Sequence, residues 1–145
     1  MIEITRSALL PYSAESLFEL VSDIQAYPDY IPNCIGAKII REWDQGVEAE
    51  LTVSALGVKY PFSTRNTVQR PSLITMELSE GPLKHLKGSW LFKSLSDSAA
   101  KIELQLQFEA DGAIKKVAAK QLVERTSTSV VDALIKRAHA VLGAK

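Results

Sequence analysis

Lys101-Ile102-Glu103-Leu104-Gln105-Leu106-Gln107-Phe108-Glu109 alternates polar and apolar side chains without a break. Successive side chains of an extended chain point to opposite faces, so Ile102, Leu104, Leu106 and Phe108 cover one face of a sheet and the polar set covers the other. One face buried and one wet is the mark of an antiparallel sheet covered on a single side. After Asp111-Gly112 the period changes: Ile114, Val117, Ala118 and Leu122, then Val130, Ala133, Leu134 and Val141, recur at helical spacing. A helix of that length reaches about 40 Å at about 1.5 Å per residue. A sheet that needs a cover, followed by the one element long enough to supply it, predicts an α+β fold: a curved antiparallel sheet wrapped around a long C-terminal helix.

Upstream, the same period-2 pattern predicts the remaining strands, for seven in all. Trp90 and Phe92 mark one, and Ile74, Met76 and Leu78 another, ending at Gly81-Pro82. Val58, Tyr60, Phe62, Thr64, Asn66 and Val68 share a face before Pro71. Val47, Ala49, Leu51, Val53 and Ala55 face inward opposite Glu48, Glu50, Thr52 and Ser54, and Gly57 breaks that run. Ile35, Ala37 and Ile39 form an inward set before the turn at Asp44-Gln45-Gly46, while Ile2, Ile4, Ala8 and Leu10 form a first strand that stops at Pro11. Between the first two strands, Ser13 is placed to cap a short helix carrying Leu17, Phe18, Leu20, Val21 and Ile24 on one face. Tyr27-Pro28-Asp29-Tyr30-Ile31-Pro32 is too proline-rich for a long helix and too aromatic for a disordered loop, so it predicts a packed single turn.

The 145 residues are expected to form one domain, 1–145, around one core, and 46% hydrophobic with 23% charged residues argues against disordered, collagen-like or coiled-coil chains. Seventeen Lys/Arg against seventeen Asp/Glu leave no general field for DNA. The charge is unevenly spread: residues 1–113 hold 10 basic and 15 acidic side chains, residues 114–145 hold 7 and 2. The basic segment, with Lys115, Lys116, Lys120, Lys136 and Arg137, reads either as a solvated helix face or as a contact for phosphate on RNA or a membrane surface. A single cysteine, Cys34, excludes an internal disulfide and a multi-cysteine zinc site and fits a reducing compartment. Glu3, Arg6, Glu15, Glu19 and Asp23 interrupt any apolar leader, and no apolar run of about 18 residues occurs, so a cytoplasmic protein is expected.

Catalytic motifs are missing. There is no GxSxG elbow, no glycine-rich phosphate loop and no HExxH, and His85 and His139 lie far apart. Cys34 paired with His85 is outweighed by the usual role of a lone thiol as a small hydrophobe. No catalytic residue, no metal ligand and no cofactor is assigned. The anomaly is polar: Thr64 and Asn66 share the inward parity of Tyr60, Phe62 and Val68, and an unpaired buried amide costs about 1 to 3 kcal/mol. Asn66 is therefore either satisfied by local backbone or buried water, or it orients a polar group on an apolar ligand. Lys59 and Arg65 fall on the solvated parity. The helix presents Thr126, Ser127, Thr128 and Ser129, with Ala118, Ala119 and Ala133, where a close-packed core prefers larger side chains. Either helix and sheet approach closely there or a space remains. If it remains, the expected cavity set is Tyr30, Tyr60, Phe62, Thr64, Asn66, Met76, Trp90, Phe92, Leu104, Leu106, Ala118, Leu122 and Ser129.

Tyr12-Ser13-Ala14, Leu17-Phe18, Leu20-Val21, Asp23, Tyr27-Pro28, Tyr30, Pro32 and Cys34 resemble the opening signature of the coenzyme Q-binding family of START-like domains, within the polyketide cyclase and lipid transport superfamily. Phe62, Thr64-Arg65-Asn66, Pro71, Ile74, Met76, Gly81-Pro82, Leu86, Gly88, Trp90 and Phe92 are similar to its middle, and Val130-Val131, Ala133 and Arg137-Ala138 to its terminal helix. Asn33, where many members have an aromatic residue, and Leu83, where Phe is frequent, depart from it. The resemblance implies a helix-grip fold around a lipophilic cavity, with two short helices after the first strand. It implies non-enzymatic binding of a hydrophobic small molecule, ubiquinone or a related isoprenoid lipid, in support of respiration, with transient contact at the inner membrane face. The alternative it carries is that of the RatA-type ribosome association toxins, which bind the large ribosomal subunit and block subunit association, and which would draw on the basic segment. A second alternative, oligoketide cyclase or aromatase chemistry, needs an acid and a base inside the cavity.

Overall fold

The computed structural model describes residues 2–55, 57–81, 83–110 and 116–143, with Ala55, Ala110, Lys116 and Val117 described by backbone alone. The chain runs β1 (Ile2–Leu10), α1 (Ala14–Ser22), a 3-10 turn (Ile24–Ala26), α2 (Tyr27–Tyr30), β2 (Cys34–Trp43), β3 (Gly46–Ala55), β4 (Val58–Gln69), β5 (Leu73–Glu80), β6 (Leu83–Ser96), β7 (Ala99–Ala110) and α3 (Lys116–Val141). The seven strands make one sheet in the order β1-β7-β6-β5-β4-β3-β2. Every pairing is antiparallel, and β1 closes beside β7 with Ile2 opposite Phe108. This is the α+β helix-grip architecture that the alternation predicts, and the 26 residues of α3 span about 39 Å.

Local chemistry accounts for the boundaries. The Ser13 hydroxyl accepts the Ser16 N–H at 3.1 Å and starts α1, which ends before Pro28, so Tyr27–Tyr30 is a single helical turn. Gly57 turns the chain from β3 to β4 at φ 78, a conformation that costs glycine nothing. Asn33 enters β2 at φ 66; asparagine tolerates that region better than the aromatic residue it replaces in the family pattern. At Gly88 an added Cβ would lie 2.4 Å from the Gln105 carbonyl oxygen. The missing side chain lets β6 and β7 approach and the sheet bend there.

Two inward patterns differ from expectation. In β2, register shifts between Cys34 and Gly36 and between Ile39 and Arg41 insert extra residues, so Cys34 takes the buried position and Ile35 is 49% exposed. In α3, Ala133 and Leu134 are buried as expected, with Ala119, Val123, Ser127, Val131 and Ala138 beside them, whereas Ala118 and Val141 are exposed. Before Ala133 the buried stripe lies one residue later than the apolar count, at Ala119, Val123 and Val131 in place of Ala118, Leu122 and Val130. Asp111, Gly112, Ile114 and Lys115 lie outside the described residues.

The core divides into clusters. In the largest, α1 inserts Leu17 and Phe18 among Phe92, Ile102, Leu134 and Ala138, with the Phe18 and Phe92 rings edge to face at 5.5 Å. A second joins Ile4, Leu83, Phe108, Ala119 and Val123, and a third Ile31, Cys34 and Ala133. Polar contacts tie α3 along β1: Arg6 Nε donates to Thr128 Oγ1 at 3.1 Å, and Tyr12 Oη meets His139 Nδ1 at 2.6 Å. On the outer face, register places Glu3, Gln107, Lys87, Glu77, Arg65, Glu48 and Arg41 on one line across all seven strands. Glu48 is buried within that line, with Arg41 Nε at 2.9 Å and the Ser79 hydroxyl donating to it at 3.1 Å.

Candidate functional site

Residues of all three clusters bound a cavity of about 200 Å³ between the sheet and α3. Its floor is the inner rows of β3, β4 and β5, continued by Leu86 and Trp90 of β6 and Leu104 and Leu106 of β7. Leu122, Val123, Thr126, Ser127 and Val130 of α3 form the wall, and Val21, Ser22, Ile24, Tyr27, Ile31 and Pro32 cap one end. Of the thirteen residues predicted, Phe62, Thr64, Asn66, Met76, Trp90, Leu104, Leu106 and Leu122 line it.

The other five do not. Ala118 and Ser129 are off the lining because α3 is rotated relative to the apolar count, and Thr126 and Ser127 stand in their place. Phe92 is consumed by packing on Phe18. Tyr60, opposite the lining residue Val53, is half-buried and off the lining. Tyr30 packs instead under the Arg137 guanidinium, whose carbon sits 5.0 Å from the ring centroid. The missed members are mainly small or aliphatic residues of β3, with Ala49 only 2% exposed, and the end of α1. Parity marks the β3 set as inward, but nothing in a sequence says that its inward side faces empty space.

The wall is chemically quiet. Among the described residues no Asp, Glu, Lys, Arg or His lines it. Its ionisable members are Tyr27 and Cys34, and burial pushes both the phenol and the thiol upward, so both are neutral near pH 7. The Tyr27 hydroxyl donates to the Val21 carbonyl, and Cys34 Sγ faces the Gly36 carbonyl at 3.6 Å. His85 is exposed on β6 and does not line the cavity. The oxygen of the inward Asn66 is satisfied by a neighbouring side chain, the Thr64 hydroxyl donating to its Oδ1 at 2.9 Å. Burial likewise pushes the Tyr30 phenol up, to about 12, against the opposing pull of Arg137.

Of the five basic positions, three have side chains among the described residues. Lys115 lies outside the described residues and the Lys116 side chain is not described. Lys120 is exposed with Glu124 at 3.9 Å, and Lys136 is exposed. Arg137 is half-buried on Tyr30 with its Nε out of solvent. No described helix is long and apolar enough to cross a membrane, and no described group of three His, Cys, Asp or Glu residues is placed to hold a metal ion.

A sheet gripping one helix around an apolar hollow sets the fold, and sequence comparison sets the kinship: residues 10–135 match the model of the family described as polyketide cyclase/dehydrase and lipid transport. The chain belongs to that family. Within it, the ribosome association toxin RatA of Pseudomonas aeruginosa is 39% identical over 97% of this chain and 97% of its own. The mitochondrial coenzyme Q-binding protein of Schizosaccharomyces pombe is 23% identical over 91% of this chain and 84% of its own. The Zhui aromatase/cyclase of a Streptomyces species superposes with a TM-score of 0.88 at 19% identity, covering 95% of this chain and 93% of that one. At that identity the likeness shows the fold alone. The family resemblance in the sequence is therefore shown, and its RatA branch is nearer than its coenzyme Q branch.

Proposed function

We propose that this chain is a ribosome-directed, non-enzymatic protein of the RatA type that holds a neutral, apolar small molecule in its cavity and works in the cytoplasm. The observation that carries the ribosome reading is the end-to-end match at 39% identity to a ribosome association toxin, against 23% to the coenzyme Q-binding protein. It reverses the order expected from the sequence, where ubiquinone carriage came first. Binding to the large subunit that blocks subunit association is the finer form of the proposal. Sedimentation of the protein with purified large subunits tests it: co-migration at low salt, weakening as salt rises because phosphate contacts release counterions, is expected. Lys136→Glu is expected to weaken co-migration while leaving stability within about 0.5 kcal/mol, since it changes only an exposed charge. Protein that stays at the top of the gradient at low salt overturns the reading.

The cavity supports the second half of the proposal. A dry apolar cavity of about 150 Å³ is known to take up one benzene, so about 200 Å³ accommodates a ring-sized group and not a long isoprenoid tail. A ubiquinone-like lipid would leave its tail outside, at a membrane or in solvent. Cyclase chemistry is not supported, because the wall offers no acid or base that exchanges protons near pH 7. Mass spectrometry of the organic extract of protein purified from its own host identifies the occupant.

A further inference from the structure

The cavity wall carries one side-chain polar atom that is both out of solvent and without a partner among the described residues: Ser22 Oγ, at the last residue of α1. Its neighbours on the wall are settled. The Tyr27 hydroxyl is spent on the Val21 carbonyl and the Ser127 hydroxyl on the Val123 carbonyl at 2.6 Å. On the opposite side, Asn66 is 7% exposed and its Oδ1 accepts the Thr64 hydroxyl, so the amide N–H groups are what Asn66 still offers. An unsatisfied polar group in an apolar enclosure is costly enough that native proteins seldom keep one without a use. Two donors thus stand on different elements of one mainly apolar lining, a helix end and the sheet.

We infer that the occupant is a neutral molecule bearing hydrogen-bond-accepting oxygens, one held by the Ser22 hydroxyl under the helical cap and a second by the Asn66 amide on β4. The inference rests on the ligand-binding reading above and narrows it. A carboxylate or phosphate is excluded by physics, because no cation among the described residues reaches the wall and an unpaired charge there keeps its full desolvation cost. A plain hydrocarbon fits but leaves both donors unpaired. The volume of about 200 Å³ suits a recognised part of roughly one or two fused rings.

Three probes of similar shape separate these cases by equilibrium dialysis at about pH 8: 2,3-dimethylnaphthalene, 2,3-dimethyl-1,4-naphthoquinone and 2-naphthoate. The methyl groups block the quinone carbons at which the Cys34 thiol would otherwise add. The quinone is expected to bind about tenfold more tightly than the hydrocarbon, one hydrogen bond between neutral groups being worth roughly two- to tenfold. The naphthoate is expected to bind more weakly than either. Ser22→Ala and Asn66→Leu are each expected to lower quinone affinity about threefold while leaving the hydrocarbon nearly unchanged, and the double variant to level the two. Equal affinity for quinone and hydrocarbon in the unaltered protein, or equal losses of both probes in the variants, overturns the inference and leaves apolar binding standing. Preference for the naphthoate overturns the neutral wall. No binding of any probe overturns the ligand reading itself, and circular dichroism of each variant separates lost handles from lost fold.

Discussion

The C-terminal half of α3 and its middle face the same sheet and differ in what lies between. Around Val131, Leu134 and Ala138 the space is solid, because α1 drives Leu17 and Phe18 between helix and sheet, both with no exposed surface. Around Leu122, Thr126 and Val130 nothing is inserted, and the inner residues of β3 are as small as Ala49 and Val53. The hollow is therefore a place that the short helices leave unfilled, rather than a departure from the rules that pack the rest. A domain of this size tolerates such a gap because stability is concentrated at the other end.

The sharpest break of that contrast is truncation on each side. Phe18→Ala is expected to cost about 3 to 5 kcal/mol in urea unfolding, the range for a fully buried aromatic ring, whereas Met76→Ala, on a wall already facing space, is expected to cost about 1 kcal/mol. Equal losses would mean that the hollow is packed in solution. Enlargement comes next. Ala138→Phe overfills the solid half and is expected to destabilise by about 1 to 3 kcal/mol. Thr126→Phe is expected to stay within about 1 kcal/mol of the parent and to shut out the ring-sized probes, since its new ring enters vacant volume.

The smallest effect is that of pH, and it sharpens the statement that the hollow is neutral. Tyr30 at about 12 and the upward-shifted Tyr27 hold their protons more tightly folded than unfolded. Between the ordinary tyrosine range near 10 and about 12 the unfolded chain has therefore lost protons that the folded one keeps, so stability is intact below about pH 10 and declines as pH rises toward about 12. Unfolding midpoints followed beside phenolate absorbance check this, with ligand affinity expected to be flat from about pH 6 to 9. Stability that rises through the alkaline range would mean that neither phenol is buried as described.

Much of this was legible before any coordinates. Strict alternation in residues 101–109 carries its own burial, and Ser13, Gly57 and Pro11 mark boundaries by chemistry that acts within a residue or two. Seven of the thirteen expected cavity residues follow from strand parity alone, because parity survives wherever the ladder is regular, and Leu122 follows from the helical period. It fails at Ile35, where an extra residue in β2 reverses the faces and no side chain signals the bulge. Helix phase fails differently: Ala118 and Ala119 are the same residue to any hydrophobic count, and only the sheet's shape decides which is 0% exposed. Ser22 was invisible for a related reason. A serine at a helix end usually faces water, and its burial without a partner depends on where α1 meets the cap.

The line of side chains from Glu3 to Arg41 has a bearing on how the molecule meets a large charged partner. It holds three carboxylates, Glu3, Glu77 and Glu48, and three cations, Lys87, Arg65 and Arg41, in alternation about a neutral Gln107. Over roughly 29 Å, six strand spacings of about 4.8 Å, these charges cancel, and beyond a Debye length of about 8 Å little potential is left to feel. That line is thus electrically silent, within residues 1–113 that hold 10 basic against 15 acidic side chains. Residues 114–145, with seven basic side chains against two acidic, are not. For the polyanion proposed above, attraction comes from the chain's last segment while the acidic remainder repels, and the two opposite signs turn the molecule as it approaches.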